Sequence, residues 1–305
     1  MFRAVLPLTS GQQLSVPSIL AIILMSASLA LFILLTSTTP HADPPSSDIT
    51  PVQTGSKDAY VLFLPTSSME QWYLRSALVM IFALTTDPLF KDPAGRDVVV
   101  LTSNMTSSED IAELQAAGAK IHPIPYLIDG LFPDVSHTFP RYKYTFNKIW
   151  VWDLVQYDRV LFMDADMIFT RPLADVWIDP HAWPKSGLAA TADLGAQLDG
   201  TYFNSGFMMV RPDRAVFEEL KKVELDDVFY PDQNLLNKYY SRHGDKPWEP
   251  LNRHFQALHP TAKDIAGGAY TLQEKGWSKD TPFEVGNIWW TWYGQAQEIS
   301  VLRRV

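Results

Sequence analysis

Two carboxylates, Asp164 and Asp166, follow the apolar run Arg159-Val160-Leu161-Phe162-Met163 with one alanine between them. Residues i and i+2 of an extended chain share a face, so both acids point the same way from the end of a strand that reads as buried. Converging carboxylates repel each other unless something cationic lies between them, and paired hard oxygen ligands suit magnesium or manganese. A solvated turn can also be spelled Asp-x-Asp. The strand context is what favours a site, because ligands of open α/β sheets bind beyond the carboxyl ends of the strands.

The elements needed to build such a sheet are present. Apolar runs at Tyr60 to Leu64, Asp97 to Leu101 and Lys120 to Ile124 alternate with helical periodicity at Glu70 to Leu84 and Glu109 to Ala117. That alternation predicts βαβ units and a mostly parallel sheet flanked by helices. A helix-like stretch, Phe146 to Leu154, leads into the strand that carries the acids. Neither an internal repeat nor a second linker interrupts residues 58–305, which are expected to form one domain.

With 305 residues, 47% apolar and 19% charged, the chain is long and apolar enough to bury a sizeable core. A net charge of −9 without a basic cluster speaks against nucleic acid as a partner. The absence of cysteine excludes disulfides, thiolate metal sites and thiol nucleophiles. Upstream, no charged residue occurs between Arg3 and Asp43, and residues 19–36 form an apolar stretch of the length, roughly 20 residues, that crosses a bilayer as a helix. The apolar core of a cleaved leader is shorter, about 7–15 residues. The reading is therefore a short cytoplasmic tail (1–18), an uncleaved transmembrane signal-anchor (19–36), a Pro/Ser/Thr-rich stem (37–57) and a domain (58–305) on the far side of the membrane.

Four segments in register carry a family resemblance: YDRVLFMDADMIF around the acids, AATADL (189–194), YFNSGFMMVRPD (202–213) and YPDQNLLNKYY (230–240). Together they resemble glycosyltransferase family 8. The resemblance implies a GT-A-type (Rossmann-like) fold, a UDP-sugar donor, a hydroxyl-bearing acceptor such as a glycan, a divalent metal (usually manganese) and transfer with retention. With the anchor, it also implies a type II membrane protein of the Golgi with a lumenal catalytic domain. Residue by residue, it assigns Asp164 and Asp166 to the metal, Thr66 and Tyr73 to the uridine, and Lys148 to the neighbourhood of the donor. Asp193, Asn204 and Ser205 fall to the donor sugar, Asp232 and Gln233 to the reacting carbon, and Lys275 to the diphosphate, where Lys275-Gly276-Trp277 replaces a Lys-Pro-Trp.

Each assignment has a plainer rival. Tyr73 would be core packing, Asp232 a helix cap after Pro231, and Lys148 and Lys275 solvated surface charges. Trp289, Trp290 and Trp292 read as packing of a C-terminal segment more readily than as an acceptor platform. The family's third metal ligand, a histidine shortly before Lys-Pro-Trp, is missing. Alignment puts Tyr270 there, and His259 is the candidate replacement. The alternatives in other classes are an inactive transferase-like scaffold and a phosphatase of the haloacid dehalogenase type, which wants Thr or Val where this chain has Ile168.

Overall fold

Strand β1 (Asp58–Thr66) lies at the centre of a seven-stranded sheet, hydrogen-bonded in parallel to β2 (Asp97–Met105) on one side and to β4 (Arg159–Met163) on the other. The structure is a computed structural model and describes residues 57–66, 71–126, 142, 144–193, 195, 200–225 and 230–302. The expected tail, anchor and stem (1–57) lie outside them, except for Lys57. Among the described residues no helix is long and apolar enough to cross a membrane.

The first half is the βαβαβ arrangement expected from sequence: β1, α1 (Gln71–Thr85), β2, α2 (Ser108–Ala116) and β3 (Lys120–Pro123). Ser107 caps α2 by accepting from the Asp110 backbone N–H, which satisfies one of the first-turn donors. The sheet continues through β6 (Leu188–Ala192), β7 (Phe203–Val210) and β8 (Glu249–Pro250) in the order β3-β2-β1-β4-β7-β6-β8. Only β7 runs against the rest. The chain leaves β1 toward β2 and β3 on one side and returns to β4 on the other, so the strand order reverses between β1 and β4. A crevice opens at such a switch point. Thr66 ends β1 there, and Asp164 follows the last residue of β4.

Both central strands are buried on both faces: every residue of β4 is buried, as are residues 58–64 of β1. This explains their continuous apolar runs, which are typical of strands covered by helices on each side. The short helices α3 (Arg214–Leu220) and α4 (Pro231–Tyr239) cover the second half. A smaller sheet stands beside the crevice, with β5 (Met167–Phe169) antiparallel to β10 (Thr271–Gln273), which pairs in parallel with β9 (Ala257–Leu258). The five-residue α5 (Ala262–Ala266) links β9 to β10.

The C-terminal helix α6 (Phe283–Leu302) packs on α1. Trp289 is fully buried and donates its indole N–H to Ser76 Oγ of α1 (3.2 Å), and Trp292 is also buried. Trp290 is 45% exposed and stands edge-on to Trp72. The tryptophans are mainly packing, as their clustering suggested. Trp289 also accounts for the glycine in Lys275-Gly276-Trp277, because a Cβ at Gly276 would sit 2.3 Å from Trp289 Cβ. Gly276→Ala is therefore expected to cost about 1–3 kcal/mol through overpacking, seen as a lower midpoint in urea without a change in slope.

Candidate active site

The stretch that sequence reads as helix-like before β4 is a 3-10 helix, Thr145–Asp153. Three residues per turn line up positions i and i+3. Phe146, Ile149 and Trp152 thus form one fully buried row. Thr145 and Lys148 form the adjacent row; the Thr145 hydroxyl donates to the Tyr142 carbonyl (3.0 Å), and Lys148 pairs with Asp232 of α4. An α-helix would spread these residues around a wider arc. Asn147 supports the tighter winding by donating its side-chain amide back to the Tyr144 carbonyl (3.0 Å).

Lys148 is accordingly no surface charge. It is 6% exposed, and its ammonium lies 2.9 Å from Asp164 Oδ1 and 2.9 Å from Asp232 Oδ2. One cation bridges the strand that bears the acid pair and the helix that bears Asp232. Burial alone would raise the Asp232 carboxyl, but Lys148, with a hydrogen bond from Ser205, holds it below the usual carboxylate range. Lys148 itself is raised by the two carboxylates in spite of its burial.

Asp164 is fixed to the sheet through its backbone, donating to the Gly206 carbonyl (2.8 Å) in continuation of the β4–β7 ladder. Burial raises its carboxyl although Lys148 opposes the rise. Asp166 is pushed up to about 6 by burial and by the neighbouring Asp164 charge, against the pull of Lys148 and Lys275. Three carboxylates and two ammonium groups leave the cluster short of positive charge. The direction of stability follows from the sign of the shift. An acid raised in the folded state costs nothing below its unfolded value near 4, and its cost grows as pH rises toward 6. In metal-free protein at pH 7, Asp166→Asn is expected to raise stability by about 1–2 kcal/mol, a gain that shrinks toward pH 4, while abolishing activity.

The donor-side residues assigned by the resemblance also meet here. Ser205 Oγ donates to Asp232 Oδ2 (2.7 Å). Gln233 Oε1 accepts from Asn204 Nδ2 (3.1 Å) and from the Ser205 backbone (3.2 Å), and its Nε2 donates to Asp193 Oδ2 (3.0 Å). Pro231 at the start of α4 and a helical turn aim Asp232 and Gln233 at β7; both are buried. Lys275 lies over the half-buried ring of Tyr73 (5.6 Å), which is edge-on to Trp277 (5.2 Å). Thr66 is placed by its backbone at the end of β1.

Among the described residues, Tyr270, which stands at the aligned position of the missing histidine, and His259, the candidate replacement, make no hydrogen bond or ion pair with the acid pair. Tyr270 donates its hydroxyl to Asp175 (2.5 Å) and packs edge-on to Phe255, tied down away from the acid pair. His259 is exposed, with left-handed backbone (φ 46°) just past β9. Among the described residues no cluster of three His, Asp or Glu side chains is arranged to hold a metal. What sits against the acids is Gln273, whose Nε2 lies 3.1 Å from Asp164 Oδ2 and 3.4 Å from Asp166 Oδ1. Sequence reasoning missed it, because only the β5–β10 pairing, with Gln273 opposite Met167, carries it there. The amide oxygen of Gln273 is turned away from the acids, so the protein offers a cation two carboxylates. Magnesium and manganese commonly bind through one or two carboxylates completed by phosphate oxygens, and the site fits them on those terms.

No protein-family model matches the chain. Among curated proteins it is 27% identical over 199 residues to UDP-glucuronate:xylan alpha-glucuronosyltransferase 2 of Arabidopsis thaliana, covering 63% of this chain and 30% of that protein. It is 28% identical over 211 residues to a glycogenin of Cryptococcus neoformans, covering 61% of this chain and 21% of the other. The chain thus spans only a fifth to a third of the length of these relatives. Among solved structures, the galactosyltransferase LgtC aligns with a TM-score of 0.55 at 16% identity, over 77% of this chain and 95% of that one. The glycosyltransferase GlyE of Streptococcus pneumoniae aligns at 0.54 and 18%, over 81% and 65%. The fold is that of the GT-A glycosyltransferases, and the chain's relatives are family 8 glycosyltransferases, as the four motifs indicated.

Proposed function

We propose that this relative of the family 8 enzymes is a UDP-sugar-dependent glycosyltransferase that moves a hexose or N-acetylhexosamine, with retention, to a hydroxyl of a glycan, lipid or protein. The observation that carries the reading is the Lys148 bridge between Asp164 and Asp232, because it couples a diphosphate-side acid to a sugar-side acid in one buried charge network.

Breaking the bond from sugar to diphosphate leaves negative charge on the nucleotide and positive character at the anomeric carbon. A divalent cation held by Asp164, Asp166 and the donor's own phosphate oxygens would supply neutralising charge on the nucleotide side. Lys275 would turn from the Tyr73 ring to the diphosphate and leave that ring face to the base. Asp232, kept ionised by Lys148 and oriented by Ser205, provides a fixed negative charge for the developing cation. Gln233 has its oxygen occupied by two donors and its N–H on Asp193, so it holds the shape of the sugar pocket. Asp193 keeps a second carboxylate oxygen for the donor sugar or for the Gly195 backbone, which donates to it at 3.1 Å.

The scaffold and phosphatase readings account less well for the site. The phosphatase type wants Thr or Val four residues after its nucleophile, where this chain has Ile168, and a scaffold has no need of the buried Asp164–Lys148–Asp232 charge network. Donor choice is tested by thermal shift over a panel of UDP-sugars with manganese present. UDP-glucuronate belongs in the panel because several relatives are named for it. Binding at a hundred times Kd stabilises by about 2.7 kcal/mol. A shift with one UDP-sugar is expected, and none with any of them would contradict the assignment.

The proposal includes an N-terminal anchor over residues 19–36, type II topology and a Golgi lumenal catalytic domain. Carbonate extraction should leave the full chain in the membrane pellet, and a chain beginning at Lys57 should be soluble and keep donor binding. Release of the full chain by carbonate would count against the anchor.

A further inference from the structure

Which end of the Gln273 amide faces the acid pair is decided several links away. The Gly206 backbone N–H donates to Asn204 Oδ1 (2.8 Å), and the Ser205 backbone N–H donates to Gln233 Oε1 (3.2 Å). A backbone N–H can only donate, so it fixes the oxygen end of the amide it meets. Asn204 Oδ1 accepts as well from Gln256 Nε2 (2.9 Å), which turns the Gln256 oxygen toward the Thr191 hydroxyl. Gln256 Nε2 also donates to Gln273 Oε1 (2.5 Å), leaving Gln273 Nε2 on the two carboxylates. Reversing one amide would set N–H against N–H, or oxygen against oxygen, at the next link. The arrangement is packed as well as bonded. A Cβ at Gly206 would lie 2.6 Å from Gln273 Nε2 and 2.7 Å from Oε1, so the Gln273 amide would have to leave this position if the glycine were replaced. Gln256 is itself 6% exposed, so water competes little for its bonds.

We infer that this relay makes Gln273 the residue that withholds the third protein ligand. It presents a donor, not an oxygen, to Asp164 and Asp166, and a divalent cation therefore binds weakly by itself and tightly only together with a nucleotide diphosphate whose oxygens complete its coordination. The inference rests on the UDP-sugar reading for the identity of the nucleotide. The role of Gln273 itself can be tested with no nucleotide present.

The test is manganese binding, followed by the electron paramagnetic resonance signal of the free ion, for wild type, Gln273→His and Gln256→Met. Without nucleotide the wild type should bind weakly, and UDP should strengthen binding at least about tenfold. Gln273→His places an imidazole at the third position and should raise nucleotide-free affinity at least about tenfold. Gln256→Met removes the donor that holds Gln273 Oε1, freeing that oxygen to turn to the cation, and should raise it as well. Two results would overturn the inference: wild type binding manganese equally with and without UDP, or both variants matching wild type without nucleotide. Failure of UDP to bind the wild type with manganese present would overturn the donor assignment, and the nucleotide-free comparison would still decide the role of Gln273.

Discussion

Replacing Lys148 by methionine is expected to lower stability by about 3–5 kcal/mol, since it strips the counter-charge from two carboxylates that remain in place. For a domain of this size that is a drop of roughly 10 °C in the unfolding midpoint. The pH dependence distinguishes this cause from simple packing loss. In the wild type, Asp232 has a depressed pKa, so its contribution is present above its unfolded value near 4 and is lost only as pH falls below that. Without Lys148 the burial of Asp232 and Asp164 is opposed mainly by single neutral hydrogen bonds, from Ser205 and from Gln273, and both carboxyls rise. The variant should therefore become relatively more stable as pH is lowered from 7 toward 5, narrowing its gap to wild type. Thermal melts of the two proteins at several pH values check this, and a gap independent of pH would contradict the charge account. Turnover should be lost along with stability, because both acids the reaction needs would be displaced or protonated.

Asp232→Asn is the complementary change. The amide is nearly isosteric and can still accept from Ser205, so the fold should persist. What disappears is the fixed negative charge beside the anomeric carbon. Removing one preorganised electrostatic partner of a developing charge typically costs about 100- to 1000-fold in kcat, roughly 3–4 kcal/mol. The loss should appear in kcat and leave KM for the donor within a few-fold, since the interaction belongs to the transition state. A large rise in KM with kcat preserved would mean that Asp232 serves ground-state binding of the sugar.

These expectations also show which parts of the molecule could be read in advance. The β1-α1-β2-α2-β3 half was legible because β1 and most of β2 are buried and read as continuous apolar runs, with helical periodicity between them, and β3, which has no buried residue, follows in the same alternation. Asp164 and Asp166 were legible because an uninterrupted apolar strand stops at them. The burial of Lys148 had no local signal. It follows from a 3-10 winding that aligns Lys148 with Thr145 and from a carboxylate on α4 that neutralises it. Gln273 and Gln256 were equally silent, one on and one just before a short strand, in positions that depend on the pairing of β5, β10 and β9. Aligning motifs pointed to Tyr270 for the third ligand position. The chain instead uses Tyr270 to bind Asp175, and the place beside the acids goes to a side chain three positions later.

The central claim is retaining transfer from a UDP-sugar at the Asp164–Lys148–Asp232 cluster. It is tested most directly by incubating the protein with α-linked UDP-sugars and manganese, then following UDP release and the anomeric proton of the first-formed sugar product by NMR. The account predicts UDP release from one donor, a product that first appears as the α anomer, and loss of both signals in Asp232→Asn. No UDP from any donor, a first-formed β anomer, or undiminished release by Asp232→Asn would contradict it.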